Sequence, residues 1–148
     1  MSYINLQVTP HGLVCDALIT VSGPRRDALQ KAKQPVPGVV SVRALIDTGA
    51  SHTFVDPSVI APLNLTPTGP SLSINSATTG ATPANCDQYD VSLFIPCPKD
   101  LPFIKTVIPV GTLDLLASVG LHALIGRDIL SECLLVYNGK EGTFALGY

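Results

Sequence analysis

The 148-residue sequence predicts an all-β fold. Three observations lead there. Short apolar or alternating runs of β-type residues recur along the whole chain. Glycine, proline and asparagine turns separate those runs, and the helical signals are brief. The length suits one domain, residues 1–148, with a sizeable core.

Taken in order, residues 13–21 read as the first strand. Residues 22–38 are polar, carry Arg25, Arg26, Lys31 and Lys33, and close with Pro35-Val36-Pro37-Gly38. That is a loop excursion with one helical turn near 27–33. Residues 39–46 form the next strand and run directly into Asp47-Thr48-Gly49-Ala50. Residues 53–55 read as a short strand and 56–60 as a helical turn capped by Asp56, with Pro57 at its first position. The alternating runs 71–75 and 89–95 flank Thr78-Thr79-Gly80-Ala81-Thr82-Pro83 and read as one long hairpin. A strand follows at 103–110, an apolar segment with Asp114 inside it at 113–119, and one short helix at 126–132. Residues 133–137 and 143–148 pair across Asn138-Gly139, a strong hairpin signal.

Composition narrows the function classes. A net charge of −2 argues against nucleic acid, which needs a basic face. No apolar run reaches the roughly 18 residues of a membrane span. The start, Met1-Ser2-Tyr3-Ile4-Asn5, lacks the basic and apolar blocks of a secretory signal, so a cytoplasmic location is expected. Hydrophobic residues make up 46% and charged ones only 14%. That excess suggests apolar surface given to a partner or a substrate cleft. Cys15, Cys86, Cys97 and Cys133 are scattered without metal spacing and read as reduced thiols. The three histidines, His11, His52 and His122, are equally dispersed. No metal and no cofactor is expected.

The segment that carries chemistry is Ala44-Leu45-Ile46-Asp47-Thr48-Gly49-Ala50. An apolar strand delivers one acid to a turn, where Gly49 is expected to take backbone angles other residues resist. Small neighbours leave room for a partner. Far downstream stands Ala123-Leu124-Ile125-Gly126-Arg127-Asp128-Ile129-Leu130. In this order and at this distance the two segments resemble the retropepsin-like family of aspartic peptidases, and Ser51-His52-Thr53-Phe54-Val55 resembles that family's continuation. The likeness covers roughly residues 12 to 148, and the final hairpin looks more like cellular retroviral-type members than viral ones.

The resemblance implies a single-lobe, closed acid-protease β-barrel with a flap hairpin and one short helix near the C-terminus. It implies Asp47 as catalytic acid, with Thr48, Gly49 and Ala50 supporting the loop. It places Thr79 and Gly80 at the flap tip, over bound peptide. Gly126, Arg127 and Asp128 become structural support. One Asp-Thr-Gly per chain implies a homodimer with one Asp47 from each subunit, Thr48 bonding across the axis, and an extended peptide or protein as substrate. Two departures have consequences. Ser51 stands where viral members have an acid, so Arg127 needs another partner. Ala50 replaces the serine of pepsins, which implies a working range shifted toward mildly acidic or neutral pH.

Two function classes follow. One is an endopeptidase that cuts between apolar residues. The other is a catalytically silent dimerisation or peptide-binding module of the same fold. The intact acid weighs against the second.

Overall fold

The computed structural model describes residues 1–69, 71–74 and 84–148. Its centre is a closed six-stranded barrel. Strands β2 (Val14–Val21), β3 (Val40–Ile46), β4 (Phe54–Val55), β7 (Gln88–Ile95), β8 (Phe103–Thr112) and β9 (Ala123–Ile125) close in the order β2-β3-β9-β4-β8-β7. Alternation explains the inside. Cys15, Ala17, Ile19 and Val21 of β2 are buried, as are Val42, Ala44 and Ile46 of β3, because successive side chains point to opposite faces. The all-β expectation and the barrel hold.

The expected first strand has a predecessor. Strand β1 (Tyr3–Gln7) pairs with β11 (Thr143–Gly147), which also pairs with β10 (Leu134–Asn138). The order of this three-stranded sheet is β1-β11-β10. Ile4, Phe144 and Leu146 join the barrel's own core cluster, so the sheet packs on the barrel. The hairpin around Asn138 forms as expected, with the Glu141 N–H donating to Asn138 Oδ1 at 3.2 Å.

Helix is more extensive than the two helical turns and the one short C-terminal helix expected. α1 (Gly23–Lys31) spans nine residues where one turn was anticipated. Ser22 Oγ accepts from the Arg25 N–H at 3.4 Å, and a proline sits in the first turn. Together these start a helix on a largely exposed segment. α2 (Pro57–Ile60) is followed by a 3₁₀ turn (Ala61–Leu63), and α3 (Leu115–Val119) and α4 (Arg127–Leu130) are one turn each. Among the described residues no helix is long and apolar enough to cross a membrane.

The hairpin expected from 71–75 and 89–95 is built differently. Strand β5 (Leu72–Ile74) pairs with β6 (Ala84–Cys86), in register Leu72↔Cys86 and Ile74↔Ala84. Strand β7 belongs to the barrel instead, between β2 and β8. The apolar alternation of β7 is a demand for barrel burial: Val91, Leu93 and Ile95 are fully buried.

Candidate active site

β3 carries Asp47 to its place between two neighbours of opposite sense. It runs antiparallel to β2 and parallel to β9, in register Ala44↔Ala123 and Ile46↔Ile125. The parallel ladder continues one residue further, where the Asp47 N–H donates to the Ile125 carbonyl at 2.9 Å. The backbone of Asp47 is therefore held by the strand that leads to Gly126-Arg127-Asp128.

Beyond it the chain turns on the Asp47 side chain. Asp47 Oδ1 accepts from the Gly49 N–H at 2.8 Å, and its carbonyl accepts from the Ala50 N–H at 3.2 Å. Asp47 is half-buried, while Thr48 and Gly49 are exposed. Gly49 is absent from the residues with positive φ, so the expected reason for this glycine is corrected. Space is tight instead: a Cβ there would stand 3.1 Å from Asp47 Oδ1, so the accepting carboxylate would have to shift by a few tenths of an ångström.

The second segment buttresses the first. The Arg127 N–H donates to the Ala50 carbonyl at 2.9 Å, and Arg127 Nη1 to the Thr48 carbonyl at 2.8 Å. The guanidinium thus takes a main-chain acceptor of the Asp47 loop where an acidic partner is missing. Ser51, in the place of that acid, has its hydroxyl 2.9 Å from His52 Nδ1. Asp128 turns inward. Its Oδ2 accepts from the Thr53 N–H at 2.8 Å and its Oδ1 from the Thr53 hydroxyl at 2.7 Å. Thr53 Oγ1 in turn accepts from the Gly126 N–H at 3.2 Å. Gly126 is required by close approach: a Cβ would lie 2.3 Å from the His52 carbonyl oxygen. All seven residues of the two segments, Asp47 to Ala50 and Gly126 to Asp128, meet in one interlocked pair of loops.

Thr53 is the functional neighbour that strand texture concealed. It is fully buried and bridges the two segments through both its backbone and its hydroxyl. The available signal was a hydroxyl residue directly before the apolar pair Phe54-Val55. Asp56 does more than cap α2. Its Oδ1 accepts from the Ser58 N–H at 3.0 Å and its Oδ2 from the Leu116 N–H at 2.9 Å, so one carboxylate ties α2 to α3. Burial pushes its pKa up, but those donated N–H bonds outweigh it and hold the carboxyl below the ordinary range.

Thr79 and Gly80, expected at the flap tip, lie outside the described residues. None of three surface concavities, of about 790, 390 and 270 Å³, includes Asp47 among its lining residues.

Residues 35–92 match the family model described as "Aspartyl protease". No curated protein gives a significant match. The matched segment starts before β3, carries the whole Asp47 turn and Thr53, and ends within β7. That segment is set into a single-lobe closed barrel, and over residues 35–92 the chain is similar to the aspartyl protease family.

Proposed function

We propose that this protein is an aspartic endopeptidase that works as a homodimer, with Asp47 of each subunit as the catalytic pair. The observation that carries the reading is the single Asp47 turn per chain, braced from β9 and α4 and presenting a half-buried carboxylate beside exposed Thr48 and Gly49. Peptide hydrolysis by carboxylates needs two. One takes a proton from water as general base, while the other, protonated, polarises the scissile carbonyl. Two like charges in contact do not both ionise, so the pair shares one proton and titrates as a unit.

A second copy of the same turn across a two-fold axis supplies the missing acid. In this reading Thr48, which is exposed, bonds to its counterpart there. Gly49 offers its carbonyl to an extended peptide bound as an added strand. Thr79 and Gly80 are assigned to the flap over that cleft. Apolar side chains on either side of the cleaved bond are the expected preference, as the high hydrophobic content suggests apolar cleft walls.

Cleavage of a diverse peptide library by wild type and by Asp47→Asn, from acidic to neutral pH, tests this. Cuts between apolar residues that drop by roughly 10²–10⁴-fold in the variant are expected. A folded dimer that cuts nothing at any pH would instead identify a peptide-binding or dimerisation module.

A further inference from the structure

The excursion between β2 and β3 concentrates positive charge. Residues 22–38 hold Arg25, Arg26, Lys31 and Lys33 against one acid, Asp27. That is a net +3 within a chain of net −2, so the other residues together carry −5. Among the described residues the only ion pair joins Lys105 to Glu132, so none of these four cations is matched by an acid there. Arg25, Lys31 and Lys33 are exposed.

The same segment builds the concavity of about 790 Å³. Arg25, Ala28 and Leu29 of α1 and its cap residue Ala32 line it, at the i, i+3, i+4, i+7 spacing of a single helical face. Residues 35–37 and the 3₁₀ turn form the remaining walls, and the amides of Gln34 and Asn64 join the lining. Main-chain bonds hold this shape. The Gln34 N–H donates to the Leu29 carbonyl at 2.9 Å and the Lys33 N–H to the Gln30 carbonyl at 3.1 Å. Lys33, in left-handed backbone at φ 54°, turns the chain there, and Pro35 and Pro37 fix their own φ angles. A preformed wall loses little freedom when something binds to it. The barrel does not cover the apolar stripe: Ala28 and Ala32 are exposed, and Val36 is 37% exposed.

We propose that this concavity docks an acidic segment of the protein substrate, anchored by one apolar side chain and lying away from the bond that is cut. This rests on the peptidase reading above and adds a substrate class to it. The apolar anchor packs on Ala28, Leu29 and Val36, and flanking Asp and Glu residues meet the four unmatched cations. The Gln34 and Asn64 amides suit the main-chain groups of a peptide. A flat anionic membrane would meet the same charge, but it does not enter a hollow. β3 puts about 23 Å between Val40, where the excursion rejoins the barrel, and Asp47. The docked segment and the cleaved bond are therefore separated by about seven extended residues or more. Docking raises the local concentration of the bond at the cleft. It acts on substrate and transition state alike, so it lowers KM and leaves kcat unchanged.

Binding and cleavage test this separately in the full chain. Fluorescence anisotropy follows a labelled short peptide of Glu and Asp around one Leu, added to Asp47→Asn protein so that nothing is cut. It should bind, bind more weakly as salt rises, and lose affinity when each acid is replaced by its amide. Arg25→Glu should raise its Kd about tenfold, and Val36→Asp should weaken it too. Lys140→Glu makes the same charge change on the exposed terminal hairpin and should have little effect. Circular dichroism checks that each variant folds. For cleavage, the best-cut library peptide is compared with and without the acidic segment attached through a long linker. The segment should lower KM about tenfold at constant kcat, and Arg25→Glu should erase that gain while cutting the plain peptide like wild type. Equal binding of acidic and amide peptides overturns the docking site, as does equal weakening by Arg25→Glu and Lys140→Glu. Capture by phosphatidylserine vesicles without peptide binding overturns it in favour of a membrane surface. Peptide binding that Arg25→Glu weakens, in a protein that cleaves nothing, upholds the docking site and overturns the peptidase reading. Cleavage indifferent to the segment overturns the docking role and leaves the peptidase reading intact.

Discussion

Thr53→Val isolates the hydroxyl that joins the two halves of the site. Valine keeps the shape of threonine, so the change removes hydrogen bonding without opening a cavity. Two bonds go. The first is the charge-assisted bond from Thr53 Oγ1 to Asp128 at 2.7 Å, and the second is the one that Oγ1 accepts from the Gly126 N–H at 3.2 Å. A bond to a charged group contributes about 1.5–3 kcal/mol, and a buried donor left unpaired costs about 1–3 kcal/mol. Gly126 is buried, so its N–H finds no ready substitute in water. Allowing for partial relaxation, a loss of about 2–4 kcal/mol is expected, or roughly 5–15 °C in melting temperature at this chain length. Thr53→Ser keeps both bonds and loses one methyl group, for about 1 kcal/mol. Thermal unfolding by circular dichroism measures this at a single protein concentration, because dimer formation makes the melting point depend on concentration. Cleavage should fall with stability in the valine variant and survive in the serine one. Melting of Thr53→Val within a degree of wild type would refute the reasoning, as would serine proving as damaging as valine.

Other perturbations address the rest of the framework. Gly126→Ala drives a Cβ to 2.3 Å from the His52 carbonyl, a backbone atom with nowhere to go, and should cost about 3 kcal/mol or more by urea unfolding. Arg127→Met removes the 2.8 Å bond to the Thr48 carbonyl at an exposed site; stability should change by less than about 1 kcal/mol, while kcat drops by about tenfold or more as the Asp47 turn loosens. Asp56→Asn should destabilise the protein at neutral pH and lose its effect in strong acid. Its folded pKa lies below the ordinary value of about 3.9, so the wild-type contribution is present above that value and vanishes as pH falls through the lower folded pKa. Unfolding measured at pH 7 and near pH 2 checks the sign, and an equal effect at both would contradict it.

What the sequence disclosed about this molecule follows from which residues carry unusual demands. Asp47, Gly49 and Gly126 stand out because an acid at a strand end and glycines beside it have few ordinary uses. β3, β7 and β8 stand out because their inward residues alternate or run apolar. β1 escaped notice although Tyr3-Ile4-Asn5-Leu6-Gln7 alternates too; its partner lies at the other end of the chain, where local patterning carries no trace of it. The β5–β6 pairing was hidden because Ala84-Asn85-Cys86 has no β pattern of its own. α1 was underestimated because Gly23-Pro24 reads as a loop, yet behind the Ser22 cap the same proline starts a helix. Thr53 reads as an ordinary strand residue, since nothing local announces that both its polar groups meet Asp128.

The parallel contact between β3 and β9 also bears on when the Asp47 turn takes its form. The residues that hold the Asp47 turn, Ile125 and Arg127, are made long after Asp47 itself. Contacts of such long range form slowly, because a large loop must close before they return any stability. During synthesis Asp47 is therefore made well before the residues that hold its turn. The turn takes its final form only once Ile125 and Arg127 have been laid down, late in the chain.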